Sequence, residues 1–296
     1  MNRHIIQLLR PHQWLKNVFV FTPLFFDRHA TDWHYVWPCM VACIAFCLAA
    51  SGVYCFNDIH DADADRQHPV KCTRPVASGA VSKQIAYVTM VAVWVLAFAL
   101  VALGCFCSGC IQPGPTGTLL LYVVINVAYS VKLKHVAILD VFIVATGFVL
   151  RIVAGGLATG IVLSHWIVLT TFLLALFLAL AKRRDDVAIY ETSGIKTRKD
   201  VERYNMEFLN PSIGILGSIT MMCYILYTVS DDVVERVGSH YLYATSVFVL
   251  AGILRYLQLT FVDQRSGSPT KVLLHDHFIW ACVFGWVAAF VLILYV

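Results

Sequence analysis

Residues 39–66 read CMVACIAFCLAASGVYCFNDIHDADADR, an apolar run that turns abruptly into an aspartate-rich stretch. The run belongs to a segment near 34–56, long enough to cross a bilayer, since about 20 apolar residues span the hydrocarbon as a helix. The acidic part cannot follow it into lipid. It must lie at a membrane face, where a helix end meets water.

The rest of the chain has the same character. Its 296 residues are 59% hydrophobic and only 14% charged, whereas a soluble domain carries about 25% charged residues. Further apolar segments lie near 14–27, 84–107, 117–131, 138–159, 163–182, 210–230, 241–262 and 277–296. With 34–56 they predict nine spans. In lipid the backbone must satisfy its own polar groups, and runs this long suit helices rather than alternating barrel strands. The expected fold is therefore an all-α integral membrane domain over residues 1–296. Arg3, Arg10, Pro11 and Lys16 interrupt the N-terminus, and no small-residue cleavage site follows, so a removable signal is not expected.

Lys and Arg set the orientation. They crowd the N-terminus, the connection at 57–83, Lys132 and Lys134, the connection at 182–209, and Arg265 with Lys271. The opposite connections hold Arg28 and Arg236. This asymmetry places the N-terminus and the Asp-rich loop on the cytoplasmic side of the cell's inner membrane. Arg151 and Arg255 fall within spans, where a charge usually faces a polar cavity. Cys39, Cys43 and Cys47 share one helix face and read as packing residues. Cys105, Cys107 and Cys110 lack the nearby His that would complete a zinc set.

If the second helix continues past Asn57, Asp58, Asp61 and Asp65 fall on one face. Asp63 points roughly 140° away from Asp58. Three crowded carboxylates repel unless a hard cation sits among them, and an oxygen-only set selects Mg²⁺, which favours one or two carboxylates plus substrate phosphates. Lys71 and Arg74 follow and can neutralise phosphate oxygens. Pro69 and Pro75 end the helix and turn the basic end back. A solvated, charge-balanced loop would not need this shared acidic face.

Asn57-x-x-x-Asp61-x-x-x-Asp65, with Asp58 inside it, resembles the first Asp-rich motif of the UbiA superfamily of intramembrane prenyltransferases. That resemblance implies helices around a central cavity and a prenyl or related diphosphate held through Mg²⁺. Aromatic prenyltransferases of the superfamily carry a second, DxxxD-like motif after the sixth span. Here the corresponding place begins Lys182-Arg183-Arg184-Asp185-Asp186, and no DxxxD lies between Lys182 and Asn210.

Other stretches extend the resemblance to the decaprenyl-phosphate phosphoribosyltransferase branch. They are Leu9-Arg10-Pro11-His12-Gln13-Trp14-Leu15-Lys16-Asn17, Tyr129-Ser130-Val131-Lys132-Leu133-Lys134, Asp140-Val141, Gly147 to Arg151, Ala154-Gly155-Gly156 and Arg255-Tyr256. The branch implies transfer of 5-phosphoribose from phosphoribosyl diphosphate to a polyprenyl phosphate, making a precursor of lipid-linked arabinofuranose for cell-wall polymers. Asp58, Asp61 and Asp65 would then be metal-binding and catalytic, with Asp140 orienting a base or a substrate hydroxyl. Lys16, Asn17, Asn57, Arg66, Lys71, Arg74, Tyr129, Lys132, Lys134, Arg151, Lys182, Arg183, Arg184 and Arg255 are the expected substrate-binding residues. Asp140 could instead be a first-turn helix acid, and Tyr129 an interfacial belt residue. No nucleic-acid partner is expected. Self-association is left open, since Gly155-Gly156 suits a contact within or between subunits. Two rival readings are an ordinary prenyltransferase with an aromatic acceptor and an anion transporter.

Overall fold

The computed structural model describes residues 2–67, 71–107, 114–194, 201–264, 272 and 275–295. Among these no β-strand occurs. Eight helices are long and apolar enough to cross a membrane: Trp33–His60, Lys83–Gly104, Gly114–Val131, Leu139–Thr159, His165–Thr192, Met206–Val229, His240–Phe261 and His277–Leu294. The protein is an all-α, multi-pass membrane protein.

The first expected span, near 14–27, differs. Helix α1 (Asn2–Leu9) leads into a 3-10 segment (Pro11–Phe21) and a short α2 (Thr22–Phe26). Pro11 and Pro23 each open a helical piece, because proline fits a helix start but supplies no amide proton for its interior. This stretch is therefore not one continuous α-helix.

The chain separates into two compact units, residues 1–136 with 147–163 and residues 137–146 with 164–296. In the first unit, α3 (Trp33–His60) begins at Asp32, whose side chain accepts from the His34 amide at 2.9 Å. It packs on α5 (Lys83–Cys107) and α6 (Gly114–Val131). Phe46, Ala49, Leu119 and Val20 form the core there. Gly52 leaves room for the Trp94 indole, which donates to the Ala49 carbonyl at 3.2 Å. Helix α4 (Ala62–Arg66) follows α3 closely. Helix α7 (Leu139–Thr159) gives its first turns to the second unit and the rest to the first.

In the second unit, α8 (His165–Ser193) starts on Ser164 and ends at Gly194, whose φ of 68° is left-handed. Its 29 residues reach roughly 43 Å at 1.5 Å per residue, more than the hydrocarbon thickness. Residues 182–193 are thus helix rather than the expected loop. Helix α9 (Met206–Val229) starts on Asn205. Then come α10 (Asp231–Val237), α11 (Ser246–Phe261) and α12 (His277–Tyr295). Val88, Val95, Ile215 and Met222 lie exposed on helix surfaces, as expected where the solvent is lipid.

Cys39 is buried, and its thiol donates to the Val20 carbonyl at 3.3 Å, in keeping with a packing role. Pro69, His68 and the side chains of Cys105, Cys107 and Cys110 lie outside the described residues. Gly155 faces the Val20 carbonyl oxygen so closely that a Cβ there would collide with backbone. This glycine thus makes a contact within the chain. Gly155→Ala is expected to destabilise the protein by about 1–3 kcal/mol through overpacking. Gly117→Ala, where a Cβ meets nothing within 4 Å, should be near neutral. Thermal unfolding of the detergent-solubilised variants checks the contrast.

Candidate active site

Asn57 and Asp58 occupy the last turn of α3, which ends at His60. Asp61 takes φ −90° and ψ 0°, and α4 begins only at Ala62. The Asp61 and Asp65 amides still donate to the Asn57 and Asp61 carbonyls, at 2.9 and 2.8 Å. The path is therefore bent rather than frayed. The continuous helix expected through Asp65 is corrected to two helical pieces that meet at Asp61.

The carboxylates meet different cations. Asp58, 1% exposed, accepts from Arg10 at 2.5 Å, with Arg74 3.4 Å from the same oxygen. Arg74 reaches on to Asp65 at 2.6 Å and so bridges the two acids. Asp61 takes Lys134 on both oxygens, at 2.6 and 2.8 Å, and His60 at 3.1 Å. Asp63 is exposed, apart from those contacts, and pairs with Arg66 at 3.1 Å and Lys83 at 3.4 Å.

Among the described residues no three His, Cys, Asp or Glu side chains gather closely enough to hold a metal by themselves. One observation still fits a hard cation. Asp58 Oδ2 is buried and has no hydrogen-bond partner. A buried carboxylate oxygen left bare is costly, and carboxylate oxygen is what Mg²⁺ selects.

Arg10 was not among the expected site residues. It sits in the left-handed region at φ 50°, uncommon for a non-glycine residue, with its guanidinium 4.9 Å from the Tyr54 ring centroid. The segment around it is tied to α3 through Ser51, which donates to the Leu9 carbonyl at 2.8 Å and accepts from Trp14 at 3.0 Å. In the sequence it stands as one basic residue of the Leu9–Asn17 stretch, beside Pro11.

The remaining expected residues of the first unit divide. Lys71, Asn57, Lys16 and Tyr129 are half-buried, whereas Lys132 is exposed. Arg66 is exposed and also donates to the Ala77 carbonyl at 3.2 Å. Asn17 is fully buried, donates to Cys47 Sγ at 3.1 Å and accepts from Arg151 Nε at 2.7 Å. Arg151 also donates to the Gly147 carbonyl at 2.6 Å and the Tyr122 hydroxyl at 3.1 Å. Asn17 and Arg151 thus form an internal latch between segments.

In the second unit Asp140 is buried beside Arg183, with Arg183 Nε 3.0 Å from Asp140 Oδ2. Arg183 Nη1 donates to Asp186 at 2.8 Å. Tyr204, unforeseen from sequence, donates to Asp140 Oδ1 at 2.7 Å. Arg184 instead donates to Asn210 Oδ1 at 2.9 Å and the Thr260 carbonyl at 2.6 Å. Lys182 is exposed. Arg255 is half-buried and paired with Asp276 at 2.8 Å.

An all-α membrane protein with an acidic helix end and buried arginines is the class these features define. The chain belongs to the UbiA prenyltransferase family, whose model matches residues 19–281. It is 31% identical over 293 residues to the decaprenyl-phosphate phosphoribosyltransferase of Mycolicibacterium smegmatis, covering 96% of this chain and 90% of that one. It is 32% identical over 304 residues to the protein of the same name from Corynebacterium glutamicum, covering 99% and 87%. The fold is similar to a UbiA homologue from Archaeoglobus fulgidus bound to GPP and Mg²⁺, with TM-score 0.69, 20% identity and coverage of 99% and 100%.

Burial alone would raise the Asp61 carboxyl, but the hydrogen bonds from Lys134 and His60 outweigh it and hold the group below its usual range. The pair therefore stabilises the fold above the unfolded carboxylate value and loses its effect as pH falls through the lowered folded value. Acidification through the carboxylate range is expected to destabilise the wild type more steeply than Asp61→Asn. Thermal midpoints across that range measure the difference.

Proposed function

We propose that the protein transfers 5-phosphoribose from phosphoribosyl diphosphate to a polyprenyl phosphate and releases diphosphate. The observation that carries this reading is the buried Arg183 on α8, held by Asp140 and Asp186 in a stretch that lacks a second DxxxD motif. One donor diphosphate needs one acidic metal-binding set. The remaining phosphate groups need cations. The near full-length similarity to decaprenyl-phosphate phosphoribosyltransferases supports the same choice.

Asp58 and Asp61, with Asp65 beside them, would hold Mg²⁺, and the bare Asp58 Oδ2 offers a coordinating oxygen. Bound there, Mg²⁺ would stabilise the negative charge of the departing diphosphate. Lys134 and Arg74 already lie against these carboxylates, and they can turn to phosphate oxygens when the acids take the cation. A phosphate monoester is an anion near neutral pH, so the acceptor needs no strong general base. The basic side chains orient it and screen its repulsion from the donor. Attack opposite the departing diphosphate inverts the anomeric centre. The Lys and Arg distribution supports a cytoplasm-facing site at the inner membrane.

Purified protein given labelled phosphoribosyl diphosphate, polyprenyl phosphate and Mg²⁺ should form lipid-linked label, and chelation should stop it. Reaction of a prenyl diphosphate with an aromatic acceptor instead would reject the assignment. Asp61→Ala should lower turnover by about 10³-fold or more, the scale on which losing electrostatic transition-state stabilisation acts. Wild-type turnover in that variant would remove the metal site.

A further inference from the structure

The phosphate groups of both substrates fall to basic residues, and a basic residue selects a phosphate only if its own position is fixed. In the second unit that fixing begins at Tyr204. Its ring is buried and stacked near Phe208, with centroids 6.2 Å apart. Its hydroxyl accepts from the Ile138 amide at 2.7 Å and donates to Asp140 Oδ1 at 2.7 Å. One phenolic oxygen can do both at once.

Ile138 is the informative partner. It adopts φ 70°, and a β-branched residue in the left-handed region is a genuine outlier. Such a conformation persists only where the surroundings over-determine it. Here the hydroxyl captures the Ile138 amide just before α7 starts. The same hydroxyl fixes one oxygen of Asp140, leaving Oδ2 beside Arg183. Asp186 holds the guanidinium from its other side. Arg183 is 7% exposed, yet its Nε has no aligned hydrogen-bond acceptor. Nε lies against Asp140 and Nη1 donates to Asp186, which pins the guanidinium and leaves Nη2 as the donor for a ligand. Arg184 differs, because a carbonyl and an amide oxygen already occupy it.

We infer that Tyr204 is a positioning residue which, through Asp140, sets the Arg183 guanidinium to receive the phosphate monoester of one substrate. The inference rests on the phosphoribosyl-transfer reading above. Both the 5-phosphate of phosphoribosyl diphosphate and the polyprenyl phosphate offer that group. Burial and the Asp140 contact push the Tyr204 phenol up to about 12, so it remains a donor at physiological pH. Phenylalanine keeps the ring and removes the bridge.

The test uses the full chain in lipid nanodiscs, comparing wild type, Tyr204→Phe and, as a control, the exposed Tyr243→Phe. KM for each substrate, kcat and the thermal midpoint are measured. Tyr204→Phe should raise KM for one of the two phosphate substrates roughly tenfold, the scale of one well-placed hydrogen bond, with kcat within about twofold. The substrate whose KM moves identifies the bound phosphate. Tyr243→Phe should match wild type. Unchanged KM values in Tyr204→Phe overturn the inference. So does a joint loss of kcat, both KM values and thermal midpoint, which marks a purely structural residue. If Tyr204→Phe does not fold, Arg183→Lys must show the same split, and its absence overturns the inference equally. A wild type that transfers no phosphoribose removes the reading on which the inference rests. Equilibrium binding of phosphoribosyl diphosphate and of a short polyprenyl phosphate to the same variants then decides the role of Tyr204. Roughly tenfold weakening of one ligand sustains it, and no weakening of either removes it.

Discussion

Asp58 ends a helix that is apolar for most of its length, and only 1% of its surface is exposed. A carboxylate so placed needs a cation, and α3 has no Lys or Arg to offer. Arg10 comes from the N-terminal segment and Arg74 from the connection before α5. Supplying Arg10 draws the N-terminal segment against the end of α3, where Leu8 joins the core beside Cys55 and Ile59 and Ser51 holds the Leu9 carbonyl. Removing one partner of a buried ion pair costs on the order of 3–5 kcal/mol, so these contacts strongly restrain the segment. Beyond that end the segment runs on alongside α3, with Trp14 beside Ser51, Asn17 beside Cys47 and the Val20 carbonyl beside Cys39.

Hydropathy sees only part of this segment's character. Residues 14–27 are apolar enough to look like a short crossing, and a window average cannot detect that Pro11 and Pro23 divide the run into two helical types. The other eight expected spans correspond to helices because each keeps a long apolar run between helix-breaking or capping residues. Asp32, Ser164 and Asn205 mark starts by accepting backbone amides, and Gly194 marks an end.

The acidic motif was legible as residue types at particular spacings, but its geometry was not. Periodicity places Asp58, Asp61 and Asp65 on one face only while every residue keeps helical dihedrals. The helix breaks at Asp61, where ψ is 0°, and Asp61 meets Lys134 while Asp58 and Asp65 share Arg74. Arg10 and Tyr204 escaped for a different reason. Each reaches its acid across a long stretch of chain, 48 residues for Arg10 and 64 for Tyr204. A single residue carries no pattern that announces such a contact.

The buried arginines differ in the chemistry of their partners. Arg151 meets an amide oxygen, a carbonyl and a hydroxyl, all neutral, drawn from three segments of the first unit. Arg184 likewise meets an amide and a carbonyl. Neutral acceptors fixed by backbone and packing make these arginines latches, and a phosphate reaching them would have to displace structural contacts. Arg183 is held by carboxylates instead. Carboxylate and phosphate are both oxyanions that match the planar guanidinium fork. A side chain already positioned for one is positioned for the other, and its acidic partners offset the cost of burying it until the substrate arrives. Burial of a charge alone is therefore an incomplete guide to substrate binding. The chemistry of the partner distinguishes an arginine that holds the fold from one that can hold a ligand.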